Sequence, residues 1–310
     1  MSNISKISKP VRRPRSMAAK LALLEEDIAQ LKSENDDLRM LYEATIEHGE
    51  AVEDQLAENN ILLRQIQERL EEELNDAGRY IMSLLPAPRV AAPRTDWMLL
   101  PSTELGGDAF GYHEIDPDHF AIYLLDVCGH GVGAALLSAS VLNVLRAGAL
   151  PHADFRDPSA VLTGLNSSFP MEKQNNMFFT FWYGVYRRST GVLTYANGGH
   201  PPAMLLRPDD AGSVEGVLLE GEAGLAIGAL EDMLFPSHVF TMKPGDRLIV
   251  LSDGTFEVGT GTEAEGSLGQ LLEFCAQPDN DHPEKVLDWS RRRNGGEVLP
   301  DDFTYLRLEF

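Results

Sequence analysis

From Leu21 onward, apolar residues return every three or four positions without a skip for more than seven heptads. Leu21, Ile28, Asn35, Tyr42, Gly49, Leu56, Leu63 and Leu70 take one core position, and Leu24, Leu31, Leu38, Thr45, Val52, Asn59, Ile66 and Glu73 take the other. A 3.5-residue repeat keeps one seam of a helix turned toward a partner, so residues 21–74 are predicted to form a coiled coil rather than a single helix lying on its own domain. Asn35 at a core position favours a parallel dimer at some cost in stability. The middle of the seam is weak. Tyr42, Thr45 and Gly49 pack poorly, and the glycine alone costs about 1 kcal/mol of helix propensity.

The repeat fails at Glu73 and Leu74. "AGRYIMSLLPAPRVAAPRT" follows, and its prolines at 86, 88 and 93 end the helix near Leu85, because proline restricts the residue before it. Residues 75–95 are therefore expected to link the stalk to a globular domain at 96–310. Residues 1–20 carry Lys6, Lys9, Arg12, Arg13, Arg15 and Lys20 with no acid among them. That arm reads as a solvated tail, or as a contact for nucleic acid, lipid or an acidic partner.

The rest of the chain argues against nucleic acid. The net charge is −22 over 310 residues, which repels nucleic acid and anionic membrane on average. No apolar run approaches the roughly 20 residues of a membrane span, and the basic N-terminus has no apolar core of a secretory signal behind it. Two cysteines, Cys128 and Cys275, make no disulfide framework. A cytoplasmic address is expected.

Beyond Asp96, short β-like runs alternate with turn signals: "HFAIYLLDV", "MFFTFWYGVYRR", "GVLTYAN", "PAMLLR", "HVFTM", "DRLIVLSDG" and "DFTYLRLEF". Helical patterns stand between them and near the end. Strands come in runs rather than in strict βα alternation, so the fold class is α+β, with sheets packed together and helices outside.

Four places combine an aspartate with a strand end or a tight glycine turn: Asp108 after Gly106 and Gly107, Asp126 at the end of "IYLLDV", Asp253 before Gly254, and the pair Asp301 and Asp302 before the last strand. Any one alone is a turn signal. Four together, on apolar strands, point to carboxylates that converge. Clustered carboxylates raise one another's pKa, and a divalent cation reverses that cost. The ligands are oxygen only, which suits Mg²⁺ or Mn²⁺ better than zinc, and the spacing is unlike an EF-hand.

These stretches resemble the SpoIIE-type branch of the metal-dependent serine/threonine protein phosphatases, the PPM or protein phosphatase 2C family. "GGDAFGY", "LLDVCGHGVGAALLSA", "MFFTFWYGV…GVLTYANGGHPPAMLL", "GLAIGAL", "PGDRLIVLSDGTFEV" and "DDFTYL" occur in family order across roughly residues 75–310. The resemblance implies two packed, mostly antiparallel β-sheets flanked by helices, holding two Mn²⁺ or Mg²⁺ ions. It implies Asp126 as the bridging ligand, the Val127 carbonyl beside it, and Asp108, Asp253 and Asp301 as further metal ligands, with Asp301 preferred to Asp302. A water activated between the ions would attack the phosphorus of phosphoserine or phosphothreonine. His130 either donates a proton to the leaving oxygen or supports the ligand turn. His200 in "NGGHPP" reads as structural. Cys128, where the family more often has serine, reads as a tolerated substitution.

The resemblance further implies a phosphorylated regulatory protein as substrate, an anti-sigma-factor antagonist in a partner-switching pathway. The coiled coil adds a homodimer, regulation through the stalk and an upstream activator bound there. The competing reading is a catalytically inactive phosphatase-fold scaffold that works through the coiled coil.

Overall fold

The computed structural model describes residues 16–209, 211–222, 224–257 and 268–310. The expected basic tail falls mostly on residues 1–15, outside the described residues.

The chain divides into two units, residues 1–70 and 71–310. The first consists, where described, of one continuous helix. This helix, α1, runs Met17–Leu84 and so enters the second unit. Ala, Leu, Glu, Gln and Arg dominate it, and all are strong helix formers. Pro86 follows its end. Its heptad core is bare in the single chain: Leu21, Leu24, Ile28, Leu31, Leu38, Leu56, Leu63 and Ile66 are each at least half exposed. A seam this long and this apolar is the surface a partner helix would cover.

The second unit contains two five-stranded antiparallel sheets. Its strands are β1 Arg94–Leu100, β2 Ala109–Glu114, β3 His119–Val127, β4 Phe179–Arg187, β5 Val192–Gly198, β6 Ala203–Pro208, β7 Val214–Leu219, β8 His238–Thr241, β9 Arg247–Leu251 and β10 Phe303–Glu309. One sheet has the order β1-β10-β9-β6-β7 and the other β2-β3-β4-β5-β8. Helices α2 (Val132–Arg146) and α3 (Pro158–Ser168) cover the outside of the second sheet, and α4 (Leu268–Cys275) and α5 (Pro283–Asn294) cover the first. The expected α+β sandwich with helices outside is the observed fold. Residues 75–95 are helical as far as Leu84, and β1 begins at Arg94.

Period-2 alternation explains the layering. In β9, Leu248 and Val250 join the core between the sheets, whereas Ile249 and Leu251 pack under α4 and α5. In β10, Leu306 and Leu308 point one way, and Phe303 and Tyr305 the other. Burying each such side chain stabilises the fold by about 1.5–3 kcal/mol. Helix ends follow local chemistry. Asp157 caps α3 by accepting the Ser159 N–H at 3.0 Å, with Pro158 in the first turn. Gly295 closes α5 in the left-handed conformation.

Candidate active site

The aspartates gather because the antiparallel registers bring their strand ends together. In β2–β3 pairing, Ala109 lies opposite Leu125, so the register continued by one residue sets Asp108 opposite Asp126. In β3–β4 pairing, Asp126 lies opposite Thr180. Alternation puts Asp126 on the face of β3 that carries Ile122 and Leu124. Strands β3 and β9 meet across the sandwich. Strand β9 leads through Ser252 into a short 3-10 turn, Asp253–Thr255. Strand β10 runs antiparallel to β9, with Tyr305 opposite Leu251, so Asp301 and Asp302 precede it at this same end.

Glycines permit the close approach. A Cβ at Gly107 would lie 2.8 Å from the Val127 carbonyl oxygen, and one at Gly254 would collide with the Asp302 carbonyl. Both are positions where no larger residue fits without moving backbone.

Asp302 is fully used within the protein. Its carboxylate accepts the Ser102 N–H at 2.8 Å and the Ser102 hydroxyl at 3.1 Å, and the N–H groups of Gly107 at 2.7 Å and Asp108 at 3.3 Å. It is thus the anchor of the loop that carries Asp108. Asp301 is exposed, and its carboxylate accepts the Asp302 N–H at 2.8 Å.

Asp108 is 3% exposed, and neither carboxyl oxygen has a hydrogen-bond partner among the described residues. Burial first, then the charges of Asp126 and Asp302, hold it well above the usual carboxylate range. The Ser252 and Thr304 hydroxyls oppose that shift, but neither satisfies the carboxyl group. Ser252 Oγ instead donates to the Asp302 carbonyl at 3.1 Å and accepts the Thr304 N–H at 3.0 Å. Asp126 is pushed up to about 7 by burial and then by Asp253, Asp301 and Asp302. Asp253 is pushed up to about 6 by burial and then by Asp301 and Glu257. A cleft of about 400 Å³ opens over Asp126 and Asp253, lined also by Thr180, His200 and Glu257 among others, with no Lys or Arg among its described lining residues. Acids crowd here with no cationic side chain among the described lining residues to balance them.

That imbalance is what a divalent cation would relieve. Among the described residues, no three His, Cys, Asp or Glu side chains converge in an arrangement that holds one ion. Mg²⁺ keeps several waters and takes only one or two carboxylates. Pairs such as Asp108 with Asp126, or Asp126 with Asp253, fit that demand, and the two orphaned oxygens of Asp108 supply free donors.

His130 is exposed on the turn after β3. Cys128 accepts the Phe178 N–H at its Sγ, 3.2 Å away, a role that a serine hydroxyl also fills. His200 is buried, and the Asn197 side chain brackets its backbone, accepting the His200 N–H and donating to its carbonyl, both at 2.7 Å. Burial pushes its imidazole down to about 4. Sequence reasoning passed over Thr180 and Glu257. Thr180 becomes visible only once the register of "FTFW" against "LLDV" is known.

A family model described as Stage II sporulation protein E (SpoIIE) matches residues 116–310. The chain belongs to the SpoIIE family. The phosphoserine phosphatase RsbP of Bacillus subtilis (strain 168) is 28% identical over 213 residues, covering 67% of this chain and 50% of RsbP. The phosphoserine phosphatase RsbU of the same organism is 26% identical over 275 residues, covering 87% of this chain and 78% of RsbU. The chain thus spans half the length of one of these SpoIIE-type relatives and more than two thirds of the other. Among solved structures, the SiaA-PP2C domain of Pseudomonas aeruginosa superposes with a TM-score of 0.65 at 22% identity, covering 79% of this chain and 98% of that one. The phosphatase domain of Bacillus subtilis SpoIIE, with a fragment of its regulatory domain, gives 0.59 at 19% identity, covering 72% and 64%. The sandwich is therefore a PP2C-type phosphatase fold. No helix among the described residues is long and apolar enough to cross a membrane.

Proposed function

We propose that this chain is a metal-dependent protein serine/threonine phosphatase, with Asp108, Asp126, the Val127 carbonyl, Asp253 and Asp301 as ligands of two Mg²⁺ or Mn²⁺ ions. The observation that carries this reading is the row of buried and half-buried, mutually repelling aspartates at converging strand ends of a SpoIIE-family domain. Asp301 is preferred to Asp302 because the oxygens of Asp302 are already occupied by backbone and Ser102 donors. Bound cations would neutralise these acids, draw a phosphate monoester into an acidic cleft and sharpen water as a nucleophile. The chain's own part is positioning. Asp302 fixes the Asp108 loop, and the close glycines let the strand ends approach. His130, exposed on the turn before α2, is read either as giving the leaving serine oxygen its proton or as shaping the turn.

The substrate is read as a phosphorylated regulatory protein of the partner-switching kind, in line with the relatives named RsbU and RsbP. Regulation is read as passing through a dimeric stalk to which an activator binds. A continuous set of contacts supports that route. Gly78 of α1 packs so closely on the loop that a Cβ there would lie 3.1 Å from the Glu104 carbonyl oxygen. The next carbonyl, Leu105, accepts the Gly131 N–H at 3.0 Å, in the turn after Asp126. At the end of α1, the Leu84 carbonyl accepts Arg146 Nη1 of α2 at 2.9 Å. The test is dephosphorylation of phosphoserine-bearing candidate proteins by the full chain with Mn²⁺. Activity that persists in excess chelator would overturn the metal reading.

A further inference from the structure

Among the polar side chains that line the cleft, acceptors predominate. Asp126, Asp253 and Glu257 accept hydrogen bonds when ionised. His200 lines the same cleft and is 3% exposed. Its Nδ1 lies 3.0 Å from the Pro201 carbonyl, which can only accept, so Nδ1 carries the proton and Nε2 is left as a bare acceptor. That Nε2 is buried and has no partner among the described residues. Apart from the engaged His200 Nδ1–H, the side-chain donor among the described lining residues is the Thr180 hydroxyl, which has no partner among the described residues and belongs to the residue opposite Asp126 in the β3–β4 pairing. The β4–β5 register, with Phe181 opposite Gly198, brings the turn carrying His200 up beside Thr180. An unpartnered buried acceptor is costly, and a donor that entered the cleft would relieve that cost.

We propose that His200 is a positioning residue whose Nε2 accepts a hydrogen bond from hydration water of a divalent cation held by the aspartates. This rests on the two-cation reading above. A hydrated Mg²⁺ fits an acceptor wall from both sides, with its charge toward the carboxylates and its water protons toward the imidazole. His200 would then hold that water in one orientation beside the aspartate row while leaving the ligand set to other residues.

The test is Mg²⁺ titration of the full chain, followed by calorimetry and by the ¹⁵N resonances of the histidine rings. In the wild type, the His200 Nε2 resonance should move upfield with the calorimetric dissociation constant. His200→Gln, which can place an acceptor near the Nε2 position, should bind Mg²⁺ within about threefold of wild type. His200→Leu should bind at least tenfold more weakly, the range over which outer-sphere partners act. An Nε2 resonance that stays still while the wild type binds Mg²⁺ overturns the proposal, and needs no variant to fold. Equal affinity of wild type and the leucine variant does so too. A wild type that binds no Mg²⁺ fails the two-cation reading itself and takes this inference with it, an outcome seen separately in the calorimetry.

Discussion

The Asp302 carboxylate accepts the Gly107 N–H at 2.7 Å across 195 positions of sequence. This bond ties the start of β10 to the loop that delivers Asp108, and it separates two neighbouring aspartates into different tasks. Asp302→Ala leaves the N–H groups of Ser102 and Gly107 without their acceptor, and should cost ~3 kcal/mol in urea denaturation of the metal-free chain. Asp301→Asn should leave that stability within about 0.5 kcal/mol and instead weaken cation binding by at least tenfold. The opposite pattern would exchange the two roles.

Protonation of the aspartate row sets a pH dependence of known sign. Burial and neighbouring acids raise Asp126 to about 7 and Asp253 to about 6, whereas an unfolded aspartate titrates near ~3.9. Between those values the folded state holds more protons than the unfolded one, so this contribution to stability falls as pH rises. The metal-free chain should resist urea better at pH 5 than Asp126→Asn data alone would extrapolate to, and lose that advantage by pH 8. Saturating Mg²⁺ should remove the difference. A wild type and an Asp126→Asn variant with parallel pH profiles would contradict it.

The exposed seam of α1 predicts association. The full chain should run as a dimer in light scattering, and Leu24→Asp with Leu31→Asp and Leu63→Asp should shift it to monomer, since all three side chains are more than half exposed in the single chain. Retention of cation binding by that variant would show that the site is built within one chain. A monomeric wild type at micromolar concentration would refute the coiled-coil reading.

Cys128→Ser should keep phosphatase activity within about twofold, because a serine hydroxyl can also accept the Phe178 N–H that Sγ accepts at 3.2 Å. A loss beyond tenfold, or sensitivity of the wild type to mild oxidants, would assign the thiol a role of its own.

Much of this molecule could be read before its coordinates. The heptads gave the helix, and Pro86 its end, because both signals are local. "HFAIYLLDV" and "DRLIVLSDG" were legible as strands because they are long apolar runs closed by turn residues. Strands β1, β2 and β7 were not, since "RTDWMLL", "AFGYHE" and "VEGVLL" carry too little alternation to stand apart from loop. The candidate aspartates were legible from their strand-end glycines. The anchoring of Asp302 and the exposure of Thr180 to Asp126 were not, because both depend on register between segments far apart in sequence.

The most direct measurement is anomalous diffraction from a crystal of this chain grown with Mn²⁺. Two peaks within coordination distance of the Asp126 carboxylate, reached also by Asp108, Asp253 and Asp301, are the expected result. An ordered cleft with no peak there would contradict the claim that these aspartates exist to hold a pair of cations.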